Sequence, residues 1–194
     1  TGVQTCALPI FLSSQRIDYL ISNSNFTAKR VRKYWGLNSE VIHPPVDIKR
    51  FNFTNTREDF YLSVNRLVPN KRIDLLINSF NKLNLPLIVI GDGPERSKLE
   101  KMANSNIKFL KQVSNLEVEN YMSRCRAFVY AGLEDFGIAP IEAMASGAPV
   151  IGYGKGGILD TVICFNESNK KDFSNGILFK NQTIADMVDT IDCF

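Results

Sequence analysis

Six short apolar runs punctuate the chain, at 60-FYLSV-64, 87-LIVIG-91, 107-IKFL-110, 127-AFVY-130, 149-PVIGY-153 and 176-GILF-179, and each reads as a buried strand. Patterns of helical period lie between them. In 71-KRIDLLINSFNKL-83 the residues Ile73, Leu76, Ile77, Phe80 and Leu83 share one face. Ser114 and Glu117 form a capping box ahead of 115-NLEVENYMSR-124. Pro140 sits in the first turn of 140-PIEAMAS-146 and Gly147 closes that helix, while a last helix starts near Ile184 behind Thr183. Strand and helix alternating in this way predict an α/β fold, a doubly wound parallel sheet covered on both faces and joined by right-handed crossovers.

The chain has 194 residues, 44% of them hydrophobic, enough for one domain with a core plus a fragment of another. Residues 17–25 read as a strand with polar residues at its end. Thr27 then caps a helix, TAKRVRKYW, that Gly36 stops, and the proline pair in 41-VIHPPVDIKRF-51 reads as a linker. The opening TGVQTCALPI has no basic n-region, is short for a signal peptide and matches nothing that follows. The expected division is therefore 1–16 as a segment foreign to the fold, 17–50 as the end of a preceding domain with its linker, and 51–194 as the main domain. The last helix is read as cut off at Phe194.

Net charge is +3, with the 23 basic residues spread along the chain. That fits a phosphorylated ligand and gives no reason to expect nucleic acid. Four cysteines without a C-x-x-C motif and a single histidine, His43, argue against zinc and for reduced thiols in a cytosol. No apolar run approaches the roughly 20 residues that cross a bilayer.

In a doubly wound sheet, ligands bind outside the carboxyl ends of the strands. The segments after the runs are 65-NRLVPNKR-72, 91-GDGPE-95, 111-KQVS-114, 132-GLEDFGIAP-140 and 154-GKGG-157, so polar, basic and glycine residues recur on one edge. Arg66 and Lys71 can bracket a diphosphate, the first as a bidentate fork and the second as a mobile charge. Gly137 lets a ligand approach a helix N-terminus, where free N–H groups favour phosphate, and Gly154, Gly156 and Gly157 can do the same at a following helix. Glu142, expected in the first turn of its helix, either compensates the helix dipole or accepts two bonds from ribose hydroxyls. Glu134 beside a diphosphate is useful only if it faces neutral hydroxyls, such as those of a sugar. A nucleotide sugar has that layout. The rival reading takes Gly152-x-Gly154-x-x-Gly157 as a dinucleotide fingerprint. It falls in the fifth strand–helix unit, needs Asp172 as its acid, and leaves Arg66, Lys71 and Glu134 idle.

With Glu134-x7-Glu142 and G-I-A-P-I-E-A-M-A-S-G-A-P-V-I between and after, the chain resembles the retaining GT-B glycosyltransferases of glycosyltransferase family 4, the glycosyl transferases group 1. The resemblance extends through 63-SVNRLVPNKRIDLLINSF-80, 87-LIVIGDGPERSKLE-100, 22-SNSNFTAKRVRKYWG-36 and 41-VIHPPVD-47, and its wording is closest to bacterial mannosyltransferases of the O-antigen or polysaccharide type. It implies a Rossmann-like C-terminal GT-B domain, truncated at its C-terminus, that carries a short remnant of the preceding domain. Arg66 and Lys71 would hold the donor diphosphate and Glu142 the ribose. Glu134 would hold hydroxyls of the transferred sugar. Phe136, Gly137 and Ile138 would meet phosphate or sugar, Gln112 and Val113 would line the base pocket, and Gly91 and Gly93 would shape its floor. No metal or other cofactor is expected. The donor would be GDP-mannose or a similar nucleotide sugar, and the acceptor a glycan or lipid-linked sugar bound by the missing domain. A fragment of this kind would bind donor without transferring it. Localisation would be cytoplasmic, with the basic face of 29-KRVRK-33 a candidate for peripheral membrane contact. The alternatives are a non-catalytic nucleotide-sugar-binding module or a GT-B-type epimerase or phosphorylase, for which Lys155 is the sole nearby cofactor lysine.

Overall fold

The computed structural model describes residues 12–14, 16–54, 56–111, 113–164 and 174–194. The chain divides into two compact units, Thr1–Pro45 and Val46–Phe194. Among the described residues no helix is long and apolar enough to cross a membrane.

In the first unit, strand β1 (Ile21–Ser22) runs parallel to β2 (Glu40–Val41), with helix α1 (Asn25–Trp35) between them. The predicted strand over 17–25 shrinks to two residues, because the polar SNSN that follows favours caps and turns over a ladder. Ser24, not Thr27, is the N-cap: its hydroxyl accepts the Thr27 N–H at 3.1 Å. Gly36 ends α1 with φ of 71°, donating its N–H to the Arg32 carbonyl. His43 donates from Nδ1 to the Asn23 carbonyl at 3.0 Å, which gives it a structural part.

The second unit is a six-stranded parallel sheet flanked by helices. In chain order it comprises β3 (Tyr61–Val64), α2 (Ile73–Leu83), β4 (Leu87–Ile90), α3 (Arg96–Met102), β5 (Ile107–Leu110), α4 (Asn115–Arg124), β6 (Ala127–Tyr130), α5 (Ile138–Ala145), β7 (Val150–Tyr153), β8 (Gly176–Phe179) and α6 (Ile184–Asp192). The strand order is β5-β4-β3-β6-β7-β8, with every pairing parallel. Alternating strand residues supply two cores. Tyr61, Val89, Val129 and Ile151 pack on one face with Ile73, Leu76, Phe80 and Met187, so α2 and α6 cover that side. Leu62, Phe128 and Val150 pack on the other with Met122 and Ala143 from α4 and α5. Strands buried on both faces explain why the apolar runs are continuous.

Three expected boundaries move. Helix 71–83 begins at Ile73, because Pro69–Lys71 forms a separate tight helical turn and Arg72 takes a left-handed φ of 53°. Helix α5 begins at Ile138, earlier than Pro140, which puts Glu142 in the second turn rather than the first. No α-helix lies between β7 and β8 among the described residues. Gly157–Asp160 is one tight turn after Gly156 at a φ of 89°, so Gly154, Gly156 and Gly157 open no helix that could hold phosphate. The capping box of α4 and the Thr183 cap of α6 are present as expected.

Candidate functional site

The strand order reverses direction between β3 and β6. From β3 the chain builds outward through β4 to β5, and from β6 it builds the other way through β7 to β8. The loops after β3 and β6 therefore leave a crevice between them, the switch point at which such sheets bind ligands.

The loops interlock along this edge in strand order. Lys111 after β5 pairs with Asp92 after β4 at 3.1 Å. The Leu67 N–H donates to the Asp92 carbonyl at 2.9 Å, tying the β4 and β3 loops. A Cβ on Gly91, whose φ is 144°, would lie 1.8 Å from the Asn65 carbonyl oxygen, and one on Gly93 would lie 2.4 Å from that of Leu67. Glycine is required at Gly91 because no side chain fits between those backbones. Gly157 donates to the Glu134 carbonyl at 2.8 Å, and a Cβ there would lie 2.4 Å from Cα of Phe136. Gln182, beyond β8, donates from Nε2 to the Ala131 carbonyl at 2.7 Å. The glycines thus fall on the expected edge, but their space is taken by neighbouring loops.

Lys71 and Glu134 meet at the switch point. The Lys71 ammonium pairs with the Glu134 carboxylate and donates to the Tyr130 hydroxyl at 3.3 Å. Burial, with Glu134 beside it, pushes the Tyr130 phenol well above its ordinary value. Arg66 lies in the β3 loop, exposed and without an ion pair among the described residues. Gly137 is the N-cap of α5 with φ of 92° and no side chain caps that terminus. The first N–H groups of α5, from Ile138 and Ala139, have no partner within the helix, and Ile138 is exposed. Phe136 is buried under the β7 loop.

Glu142 keeps different company. No bond joins it to Lys71 or Glu134; it lies 4.0 Å from Arg50, which also pairs with Glu119 at 2.9 Å. Burial pushes the Glu142 carboxyl up; Arg50 pulls it down and Glu119 pushes it up again. Val113 is half-buried against the α4–α5 core. Gln112 lies outside the described residues, as does Asp172. The dinucleotide reading loses its geometry. Gly152 lies inside β7, where a Cβ would stand 2.3 Å from the Ile158 side chain, and only the single tight turn Gly157–Asp160 opens behind the match. Lys155 is exposed, with Nζ 5.7 Å from the Tyr153 ring centroid. Among the described residues no group of three or more His, Cys, Asp or Glu could hold a metal ion.

Sequence reasoning missed Tyr130, Arg50, Glu119 and Gln182. Tyr130 ends an apolar run and looks like core. Arg50 and Glu119 are distant in sequence from the acid they surround, and no local pattern links them.

Residues 46–194 match the family model described as Glycosyl transferases group 1. The chain is 30% identical to the O-antigen chain mannosyltransferase RfbU of Salmonella typhimurium, over 72% of this chain and 43% of that protein. It is 27% identical to alpha-1,3/1,6-mannosyltransferase ALG2 of Candida glabrata, over 83% of this chain and 47% of that one. It thus spans under half the length of both relatives. Anabaena HepE, solved in complex with UDP and glucose, superposes with a TM-score of 0.80 at 20% identity, over 98% of this chain and 57% of that one, a likeness of fold.

Proposed function

The chain belongs to the glycosyl transferases group 1 family, and on that premise we propose that its second unit binds the nucleotide-sugar donor of a retaining hexosyltransferase. The observation that carries this reading is the meeting of Lys71 and Glu134 at the switch point, beside the uncapped N-terminus of α5. A cation, free backbone amides and a carboxylate suited to neutral hydroxyls stand together there, as a sugar attached to a diphosphate requires.

In this reading Arg66 and Lys71 take the diphosphate, with the N–H groups at the start of α5 as further donors. The same groups stabilise the charge that grows on the leaving nucleoside diphosphate as the glycosidic bond breaks. No metal is required, because positive charge and amides already face that position. Glu134 takes hydroxyls of the transferred sugar. Glu142 takes the ribose by exchanging its place near Arg50 for the two ribose hydroxyls. Gln112 and Val113 border the base, with Gly91 and Gly93 keeping the floor beneath it low. Retention of the anomeric configuration follows if the leaving phosphate assists the acceptor on the same face of the sugar. Both mannosyltransferase relatives favour GDP-mannose or a similar donor, with a glycan or lipid-linked acceptor. Transfer requires an acceptor site that none of these residues forms. The reaction belongs in the cytoplasm, and the basic face of α1 could rest there on an acidic membrane surface.

Titration calorimetry with GDP, UDP and ADP tests the reading. One of the three is expected to bind, without added metal. Arg66→Ala and Lys71→Ala should each weaken that binding more than tenfold. A folded chain that binds none of them would refute the donor site, and unchanged affinity in both variants would remove the diphosphate role.

A further inference from the structure

Glu142 is the acid assigned to the ribose, and Arg50 is the cation that meets it. Glu142 stands in the second turn of α5, which begins at Ile138. Side chains on a helix lean toward its N-terminus, so the carboxylate is carried back toward the free amides at that end. Its side chain is 24% exposed. Arg50 closes the short helical turn Ile48–Arg50 ahead of β3. Its Nε binds Glu119 of α4 at 2.9 Å, and its guanidinium carbon lies 4.8 Å from the centre of the Phe51 ring. Phe51 is itself buried in the core that α4 and α5 cover. These two contacts fix the fork and leave Nη2 at 4.0 Å from the Glu142 carboxylate. That separation is within ion-pair range and too long for a hydrogen bond.

We infer that Arg50, tethered by Glu119, is a positioning residue that holds Glu142 ready for the ribose and yields it without being stranded. The inference rests on the donor reading above. Burial and Glu119 both favour a protonated Glu142, and Arg50 opposes them. Its attraction reaches across the 4.0 Å gap without a hydrogen bond. An ionised carboxylate is an acceptor only, with about four lone-pair sites. Arg50 occupies none of them, so both ribose hydroxyls can donate there. A protonated carboxyl would give up part of that capacity to its own O–H. A full arginine fork on Glu142 would also spoil the site, because the ribose would have to displace two charge-assisted bonds. Glu119 prevents it by holding Nε elsewhere. When Glu142 turns to the hydroxyls, Arg50 keeps its bond to Glu119, and no cation is left unpaired. Arg50 thus acts through Glu142 and meets neither the diphosphate nor the reacting atoms.

Calorimetry on the full 194-residue chain tests this. Whichever of GDP, UDP and ADP binds is compared with its 2′-deoxy form. Wild type should prefer the ribose form about tenfold, the worth of one bond to a charged group, and Glu142→Gln should lose most of that preference. Arg50→Met keeps an apolar stem over Phe51 and drops the charge. It should cut the preference by at least about threefold, while affinity for the 2′-deoxy form stays within about threefold of wild type. Arg50→Lys restores a charge and should recover about half of what methionine loses. Glu119→Gln leaves Arg50 no acid but Glu142 among the described residues, so it should lower the preference as well. A methionine variant that weakens both forms equally, as a merely structural arginine or a general loss of positive charge would, overturns the inference. So does one that keeps the wild-type preference, or a lysine variant no better than methionine. An unchanged or raised preference in Glu119→Gln overturns the tether, and that variant decides alone should Arg50→Met fail to fold. If the wild-type chain binds no nucleotide, the donor reading falls and takes this inference with it. A preference absent from wild type, or surviving Glu142→Gln, removes the ribose role of Glu142 and the inference together. A preference that Glu142→Gln abolishes and Arg50→Met leaves intact sinks the inference alone.

Discussion

Gly91→Ala should break the edge of the sheet at which the candidate site is built. A methyl group there would stand 1.8 Å from the Asn65 carbonyl oxygen and 2.9 Å from its carbon, where ordinary contact begins near 3.4 Å. Neither backbone is free to yield. Asn65 donates to the Ile90 carbonyl at 3.0 Å and Gly91 to that of Leu110 at 3.1 Å; the Gly91 carbonyl accepts Arg96 at 2.8 Å. The φ of 144° is itself hostile to a side chain, at a cost of about 1–3 kcal/mol. Forcing the two loops apart adds about 1–3 kcal/mol of overpacking, and one disrupted hydrogen bond about 1 kcal/mol more. The sum, about 3–7 kcal/mol, is a large part of the roughly 5–15 kcal/mol that holds a domain together. Urea unfolding followed by circular dichroism measures it. With a slope of about 2–3 kcal/mol/M, the midpoint should fall by about 1–3.5 M. Gly137→Ala is the control: its φ is 92°, but the nearest atoms are in the Pro140 side chain at 3.6 Å, so it bears strain without collision and should move the midpoint less than half as far. A Gly91→Ala midpoint within about 0.3 M of wild type would refute the claim that the loops after β3 and β4 are held in rigid contact.

Arg57 donates to the Ser123 carbonyl at 2.6 Å and to those of Met122 and Ser146 at 3.4 Å, gripping the C-terminal ends of α4 and α5 together. Arg57→Ala should lower stability by about 2–3 kcal/mol and Arg57→Lys should restore only part, both read by thermal melting; a full rescue by lysine would discount the forked geometry. Cys125 is buried, and burial pushes its thiol up to about 12 against the pull of Arg57, whereas Cys193 is exposed. Iodoacetamide mapped by mass spectrometry should label Cys193 in the native chain and Cys125 only after denaturation; comparable native rates would mean the core opens readily. Burial lifts the folded Glu142 carboxyl above its unfolded value. The folded state therefore holds that proton more tightly, and the stability cost of ionising Glu142 grows as pH rises through the unfolded and then the folded value. Against wild type, Glu142→Gln should show a flat difference below about pH 3 that opens in the variant's favour toward pH 7; a difference that closes with rising pH would contradict the burial argument.

Most of the sheet was legible because each strand is buried on both faces, so its apolar run stands out without knowledge of its neighbours. The caps of α4 and α6 were legible because their partners are three residues apart. The order of strands was not, since periodicity says nothing about which run lies beside which. Lys71 and Glu134 could be selected from local spacing, but their pairing joins residues 63 positions apart, and only the topology brings them together. The glycines show the limit most clearly. Their number and placement pointed to an edge where backbone approaches something closely, and at Gly91, Gly93 and Gly157 that something is another loop of the same sheet. Glu142 lies one turn deeper in its helix than a start at Pro140 predicts, because that proline occupies the third helical position and proline fits the first turn as well as its opening residue.

The bond from Gln182 to the Ala131 carbonyl spans 51 residues of sequence and crosses from the end of β8 to the loop after β6. A polypeptide emerging from a ribosome appears N-terminal part first. The β3, β4 and β5 strands can pair while the remainder is still being made, whereas the loop that carries Glu134 gains its last brace only after residue 182 has been added. Translation therefore completes the crevice wall only after the β5-β4-β3 half of the sheet has emerged.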